Sequence, residues 1–86
     1  MSCSFYLRLH VQDKPGVLAD VTRILSDNRV SIEAMVQKET EEGLVPIVMM
    51  THRVLEGDMN AALARIAALD TVDKNIMRIR VETLDA

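Results

Sequence analysis

The feature that most constrains this chain is a change of hydrophobic period at Asp13-Lys14-Pro15-Gly16-Val17-Leu18. Before it, Phe5, Leu7, Leu9 and Val11 alternate with Tyr6, Arg8 and His10, the two-residue repeat of a strand with one covered face. After it, Val17, Leu18, Val21, Ile24 and Leu25 recur with helical period, opposite Asp20, Arg23, Ser26 and Asp27. The join is therefore a strand-to-helix turn. Pro15 is expected at the first helical position, where its missing N–H costs nothing, and it pushes Lys14 into the extended geometry of an N-cap. Gly16 lacks a Cβ and lets an outside group approach the backbone. The amides of Gly16, Val17 and Leu18 are then free at the positive end of the helix dipole, which suits a carboxylate or a phosphate. Asp13 separates the two. Its charge disfavours phosphate and suits a zwitterion, with carboxylate on the amides and ammonium on Asp13. The plainer alternative is a turn that only caps a helix.

The rest of the chain continues the alternation of periods. Asn28 is placed to end the first helix as a left-handed cap. A second strand is predicted from Val30 to Lys38, with Ile32, Ala34 and Val36 on the covered face and Ser31, Glu33, Met35 and Gln37 opposite. Glu39 to Gly43 reads as a solvated hairpin turn. The third strand, Leu44 to His52, is apolar on both faces and is expected at the centre, covered twice, with Pro46 near its start or at a bulge. Glu56-Gly57-Asp58 caps a second helix whose buried stripe is Met59, Ala62, Leu63, Ile66 and Leu69. The last strand, Ile76 to Thr83, is expected to turn Met77, Ile79 and Val81 to the core and Arg78, Arg80 and Glu82 outward.

Residues 1–4 read as a frayed start and residues 5–84 as one domain. With right-handed crossovers, the order of elements predicts an α+β ferredoxin-like sandwich. It has a four-stranded antiparallel sheet, order 4-1-3-2, with two helices on one face.

Composition narrows the function classes. A net charge of −3, with Phe5 and Tyr6 as the two aromatic residues, argues against nucleic acid, which calls for a basic face and stacking platforms. No apolar run approaches the length of a membrane span, and no basic-then-apolar leader precedes the first strand. The single cysteine, Cys3, excludes a disulfide within the chain and suits a reducing cytoplasm, the expected location. His10 and His52 fall on different strands, Cys3 lies near the terminus, and the sequence has no Cys-x-x-Cys, no His-x-x-x-His and no glycine-rich nucleotide loop, so no catalytic, metal or cofactor site is expected in this segment. An acylphosphatase-like use of the same fold would need an Arg in the first loop, where Lys14 and Asp13 stand instead.

Leu9-His10-Val11-Gln12-Asp13-Lys14-Pro15-Gly16-Val17-Leu18-Ala19, followed by Val30-Ser31-Ile32-Glu33, resembles an ACT domain, a small module that binds amino acids. Tyr6-Leu7-Arg8-Leu9, Gln37, Val45-Pro46-Ile47-Val48 with Thr51-His52, and Ile79-Arg80-Val81-Glu82 are more particularly similar to the C-terminal ACT domain of bacterial homoserine dehydrogenases. The resemblance implies a regulatory module that is not itself an enzyme and senses L-threonine for feedback inhibition. In that family the catalytic domains and their NAD(P) precede this segment. Related ACT domains in serine-sensing phosphoglycerate dehydrogenases or guanosine-polyphosphate synthetases are the alternative owners, and a purely structural dimerisation module is the alternative class.

The expected effector site is Asp13, Lys14, Pro15, Gly16, Val17 and Leu18. The second strand is an edge in the 4-1-3-2 sheet, so a homodimer is expected through it. Ser31 and Ile32 of a second copy would then reach the site, an arrangement similar to that of serine-sensing ACT domains.

Overall fold

The computed structural model describes residues 1–40 and 43–82. The elements in order are β1 (Ser2–Gln12), α1 (Val17–Asp27), β2 (Ile32–Gln37), β3 (Leu44–Thr51), β4 (Val54–Leu55), α2 (Glu56–Ala67) and β5 (Met77–Val81). All strand pairings are antiparallel, and the sheet reads β2-β3-β1-β5, the expected 4-1-3-2 order with β4 set aside. Phe5, Leu7, Leu9 and Val11 of β1 and Val45, Ile47 and Met49 of β3 are buried in one core with Val17, Val21, Ile24 and Leu25 of α1 and Met59, Ala62 and Ile66 of α2. Leu18, Leu63 and Leu69 pack against that core only partly buried. Among the described residues, no helix is long and apolar enough to cross a membrane.

β1 begins at Ser2, not at Phe5. Ser2 and Cys3 pair with Leu55 and Val54, and Ser4 pairs with Val81. The short β4 that holds this end has no periodic signal of its own. It continues the line of β3 after a one-residue slip at His52-Arg53, since Tyr6 pairs with Met50 and Cys3 with Val54. Inside the slip, the Phe5 N–H donates to Oγ1 of the fully buried Thr51 at 3.0 Å, so a side chain satisfies this buried amide. Residues 41–42 of the hairpin turn and Thr83 of the expected last strand lie outside the described residues.

Three helix ends differ from expectation. In α2, Leu55 is the N-cap with no side-chain cap bond, and Glu56-Gly57-Asp58 form the first turn instead of capping it. Gly16, at φ 84° and ψ −12°, is the N-cap of α1, and the Val17 N–H points to the Lys14 carbonyl at 3.4 Å. This is a type II turn with Pro15 and Gly16 at its centre, so the helix starts at Val17 and Pro15 precedes it. At the other end, Asn28 is not left-handed; Arg29 is, at φ 63°. Val30 N–H donates to Leu25 O and Arg29 N–H to Ser26 O, the paired bonds of a Schellman close. Asn28 instead sends its side-chain amide to Ile24 O at 2.8 Å.

The glycines give a paired expectation. A Cβ at Gly16 or Gly57 meets nothing within 4 Å, but only Gly16 has a positive φ. Gly16→Ala should therefore cost about 1–2 kcal/mol, the cost of an L residue in the left-handed region. Gly57→Ala, within α2, should stabilise by about 0.5–1 kcal/mol. Urea unfolding of both variants checks this, and equal effects would contradict it.

Three facing assignments are corrected by cross-strand register. Arg78 pairs with Leu7 and Arg80 with Phe5, so the β5 arginines lie on the helix side. Met77 and Ile79 lie on the other face, 51% and 50% exposed. The arginines have local partners: Arg78 stands 4.8 Å over the Phe5 ring and bonds Asn60, while Glu56 takes Arg80 at 2.8 Å and Arg78 at 3.5 Å. In β2, a bulge between Ile32 and Ala34 keeps partly buried Ile32 on the helix side but sends Ala34 and Val36 to the open face, opposite Met50 and Val48. β3 is accordingly covered on one side only, and its other face, Leu44, Val48 and Met50, is half-buried or exposed.

Candidate functional site

The Asp13 turn is held by its neighbours. Gln12, the last residue of β1, pairs with Leu44 on one side, and its N–H donates to Thr71 O at 2.8 Å on the other. Lys14 N–H returns to Gln12 O at 3.0 Å. Asp13 therefore projects from a strand end fixed on both sides, and it is exposed. In the first turn of α1, Val17 N–H has the Lys14 contact and Asp20 N–H donates to Gly16 O at 2.9 Å. Among the described residues, the amides of Gly16, Leu18 and Ala19 have no backbone acceptor. The donor set at this helix end is thus displaced by one residue toward Ala19, because the turn occupies Val17.

Asp13 also lines a cleft of about 740 Å³ whose other walls are Gln37, Lys38, Glu39, Thr40 and Val45. The cleft exists because β2 and β1 both run antiparallel to β3, so their ends come to the same side of the sheet. Two strand spacings, about 10 Å, separate them across the start of β3. Lys38 N–H donates to Pro46 O at 2.9 Å, which carries β2 pairing one residue past Gln37 and fixes this wall. Pro46 is the third residue of β3 and accepts here without needing to donate. The cleft thus offers a cation, Lys38, and two carboxylates, Asp13 and Glu39. That set can hold both ends of a zwitterion.

The structure does not bring all the expected residues together within one chain. Asp13, Lys14, Pro15, Gly16, Val17 and Leu18 form one continuous turn. Ser31 and Ile32 lie at the opposite end of β2, where Ser31 O accepts from His52 N–H and Ile32 pairs with Thr51. That is roughly 20 Å from the Gln37 end at the rise of a strand. The Gln37 to Thr40 wall was not anticipated. Its sequence signals were the polar run closing the second strand and Gln37, one of the residues that carry the family resemblance. His10 is half-buried on the open face of the sheet, and His52 is exposed. Among the described residues, no group of three or more His, Cys, Asp or Glu is arranged to hold a metal ion.

Residues 5–71 match the ACT domain family. The homoserine dehydrogenase of Methylobacillus glycogenes is 49% identical over 86 residues, 98% of this chain and 21% of that protein. The crystal structure of a homoserine dehydrogenase from Thiobacillus denitrificans superposes with a TM-score of 0.85 at 52% identity, covering 95% of this chain and 18% of that one. The ACT domain of the GTP pyrophosphokinase of Chlorobium tepidum superposes with a TM-score of 0.72 at 15% identity, covering 92% of this chain and all of that one, and so shares the fold. The chain spans about a fifth of the length of the dehydrogenases it is similar to. With the βαββαβ sheet order, the Pro-Gly turn and a family match over most of its length, this chain belongs to the ACT domain family.

Proposed function

We propose that this chain is the amino-acid-sensing module of a homoserine dehydrogenase and that its effector is L-threonine. The observation that carries the reading is the coincidence of two things: Asp13 beside a helix end with free amides, and an ACT family match whose relatives are homoserine dehydrogenases. The effector's carboxylate rests on the amides of Gly16, Leu18 and Ala19, its ammonium on Asp13, and its side chain toward the Gln37 to Thr40 wall. Calorimetric titration of the chain with each of the twenty amino acids tests this. Threonine should bind best, and failure of every amino acid to bind would overturn it.

The dehydrogenase chemistry belongs to the remaining four-fifths of such an enzyme, with its NAD(P). The chain has no glycine-rich loop for a dinucleotide pyrophosphate, so the purified 86 residues should not oxidise homoserine with either nicotinamide cofactor. Measurable turnover above a buffer control would contradict this.

The site is completed by a second copy across the β2 edge. Among the described residues β2 pairs with β3 alone, and its residues from Glu33 to Gln37 are exposed. A twofold axis normal to the sheet makes the two β2 strands antiparallel and carries Ser31 of one copy to the Gln37 end of the other. Met35, 40% exposed near the middle of the strand, lies close to that axis. Met35→Asp should place two like charges there, weakening edge pairing and threonine affinity together. Sedimentation and calorimetry on one preparation check the coupling; full affinity in a variant with no edge pairing would put the whole site in one chain.

A further inference from the structure

The sheet face away from the helices is built unlike a solvated surface. Its outer strands present Val36, Met77 and Ile79, each at least half exposed, around the half-buried Val48 and Met50. A contiguous apolar patch of this kind marks an interaction surface. Tyr6 and His10 share this face, Lys38 lies at its edge opposite Pro46, and two further charged side chains join them. Arg8, in the middle of β1 between Val48 and Met77, has its Nε shielded from solvent without an acceptor, and among the described residues its guanidinium has no ion-pair partner. Asp73 reaches the same face beside His10. Val11 and Val72 form a bridge with both side chains buried, and Asp73 N–H donates to His10 O at 2.8 Å, so the Asp73 side chain alternates to the open side. Among the described residues its Oδ1 accepts from Asn75 N–H alone, in its own turn.

We propose that this face binds a second copy of itself, with Arg8 of each copy paired to Asp73 of the other. Asp73 is level with His10, two residues along from Arg8 and one strand across. A twofold axis lying in the face, perpendicular to β1 and level with Leu9, brings the second copy's Asp73 level with Arg8. It does the same in reverse, and sets Val48 over the second copy's Pro46. The lateral offset is one strand spacing and the gap about 10 Å, within the reach of an arginine, and the strands stay aligned as in stacked sheets. Among the described residues neither Arg8 nor Asp73 has an ion-pair partner within its own chain, so two copies stacked this way satisfy both, and symmetry doubles the pair. The contact uses neither the Asp13 cleft nor the β2 edge, so it stands or falls apart from the amino-acid-binding reading.

The test is sedimentation equilibrium of the 86-residue chain in a Met35→Asp background, where edge pairing is suppressed. The parent should still dimerise. Arg8→Asp and Asp73→Arg should each weaken that dimer by more than about tenfold, the range for close interfacial charge pairs, and the double swap should restore it. Ile79→Lys, at a half-exposed position that folding tolerates, should weaken it as well without rescue. Circular dichroism confirms that each variant is folded. A monomeric parent, single swaps without effect, or a double swap that fails to recover would each overturn the proposal.

Discussion

Phe5→Ala is expected to cost about 3–5 kcal/mol, a large part of the whole stability of the domain. Phe5 is 1% exposed at the centre of the core, and its ring is the floor under the Arg78 guanidinium at 4.8 Å. Truncation leaves a cavity where β1 meets β5 and removes the surface that holds Arg78 toward Glu56 and Asn60. A domain of this size carries roughly 4–13 kcal/mol in total, so the variant should melt lower by about 4–8 °C for each kcal/mol lost. Phe5→Leu keeps most of the volume and should cost under about half as much. Calorimetric melting of both variants decides the matter; a loss below about 1.5 kcal/mol for Phe5→Ala would mean that the core repacks and that Phe5 is not its keystone.

Asp13→Ala should weaken binding of the amino-acid effector by about 1.5–3 kcal/mol, roughly 10- to 150-fold. The loss is that of a hydrogen bond to a charged ammonium, with the carboxylate end of the ligand left on the α1 amides. Asp13 is exposed and the turn around it is held by backbone bonds from Gln12 and Lys14, so the melting temperature should hardly move. Asp13→Asn keeps an acceptor without the charge and should fall between. Titration of L-threonine into the three proteins measures the series. Unchanged affinity in Asp13→Ala would remove Asp13 from the site while leaving the family assignment intact.

Local chemistry carried much of this fold in the order of residues. The alternation from Phe5 to Val11 marked a strand with one covered face, and Phe5, Leu7, Leu9 and Val11 are all buried. The stripe from Val17 to Leu25 marked α1, and the Pro-Gly pair marked the turn before it. With right-handed connections these patterns were enough for the sheet order. They also pointed to the Asp13 turn, because a charged residue beside free helix amides is legible from sequence alone.

What the patterns could not decide is which side of a strand is covered. Period two assigns residues to two faces but not to an inside. For β5 the covered side followed from pairing Phe5 with Arg80 and Leu7 with Arg78, which turned Met77 and Ile79 out and left the arginines to Phe5, Asn60 and Glu56. For β2 a single bulge after Ile32 exchanged the faces, since a slip of one residue reverses every side chain that follows. The same dependence on distant partners explains β4, which exists only because β1 extends back to Ser2, and the cleft wall at Gln37 to Thr40, which meets Asp13 only across the start of β3. Sequence near a residue sets its backbone preference and its period. The neighbours that cover it are set by register between segments far apart in the chain, and that is a property of the assembled sheet.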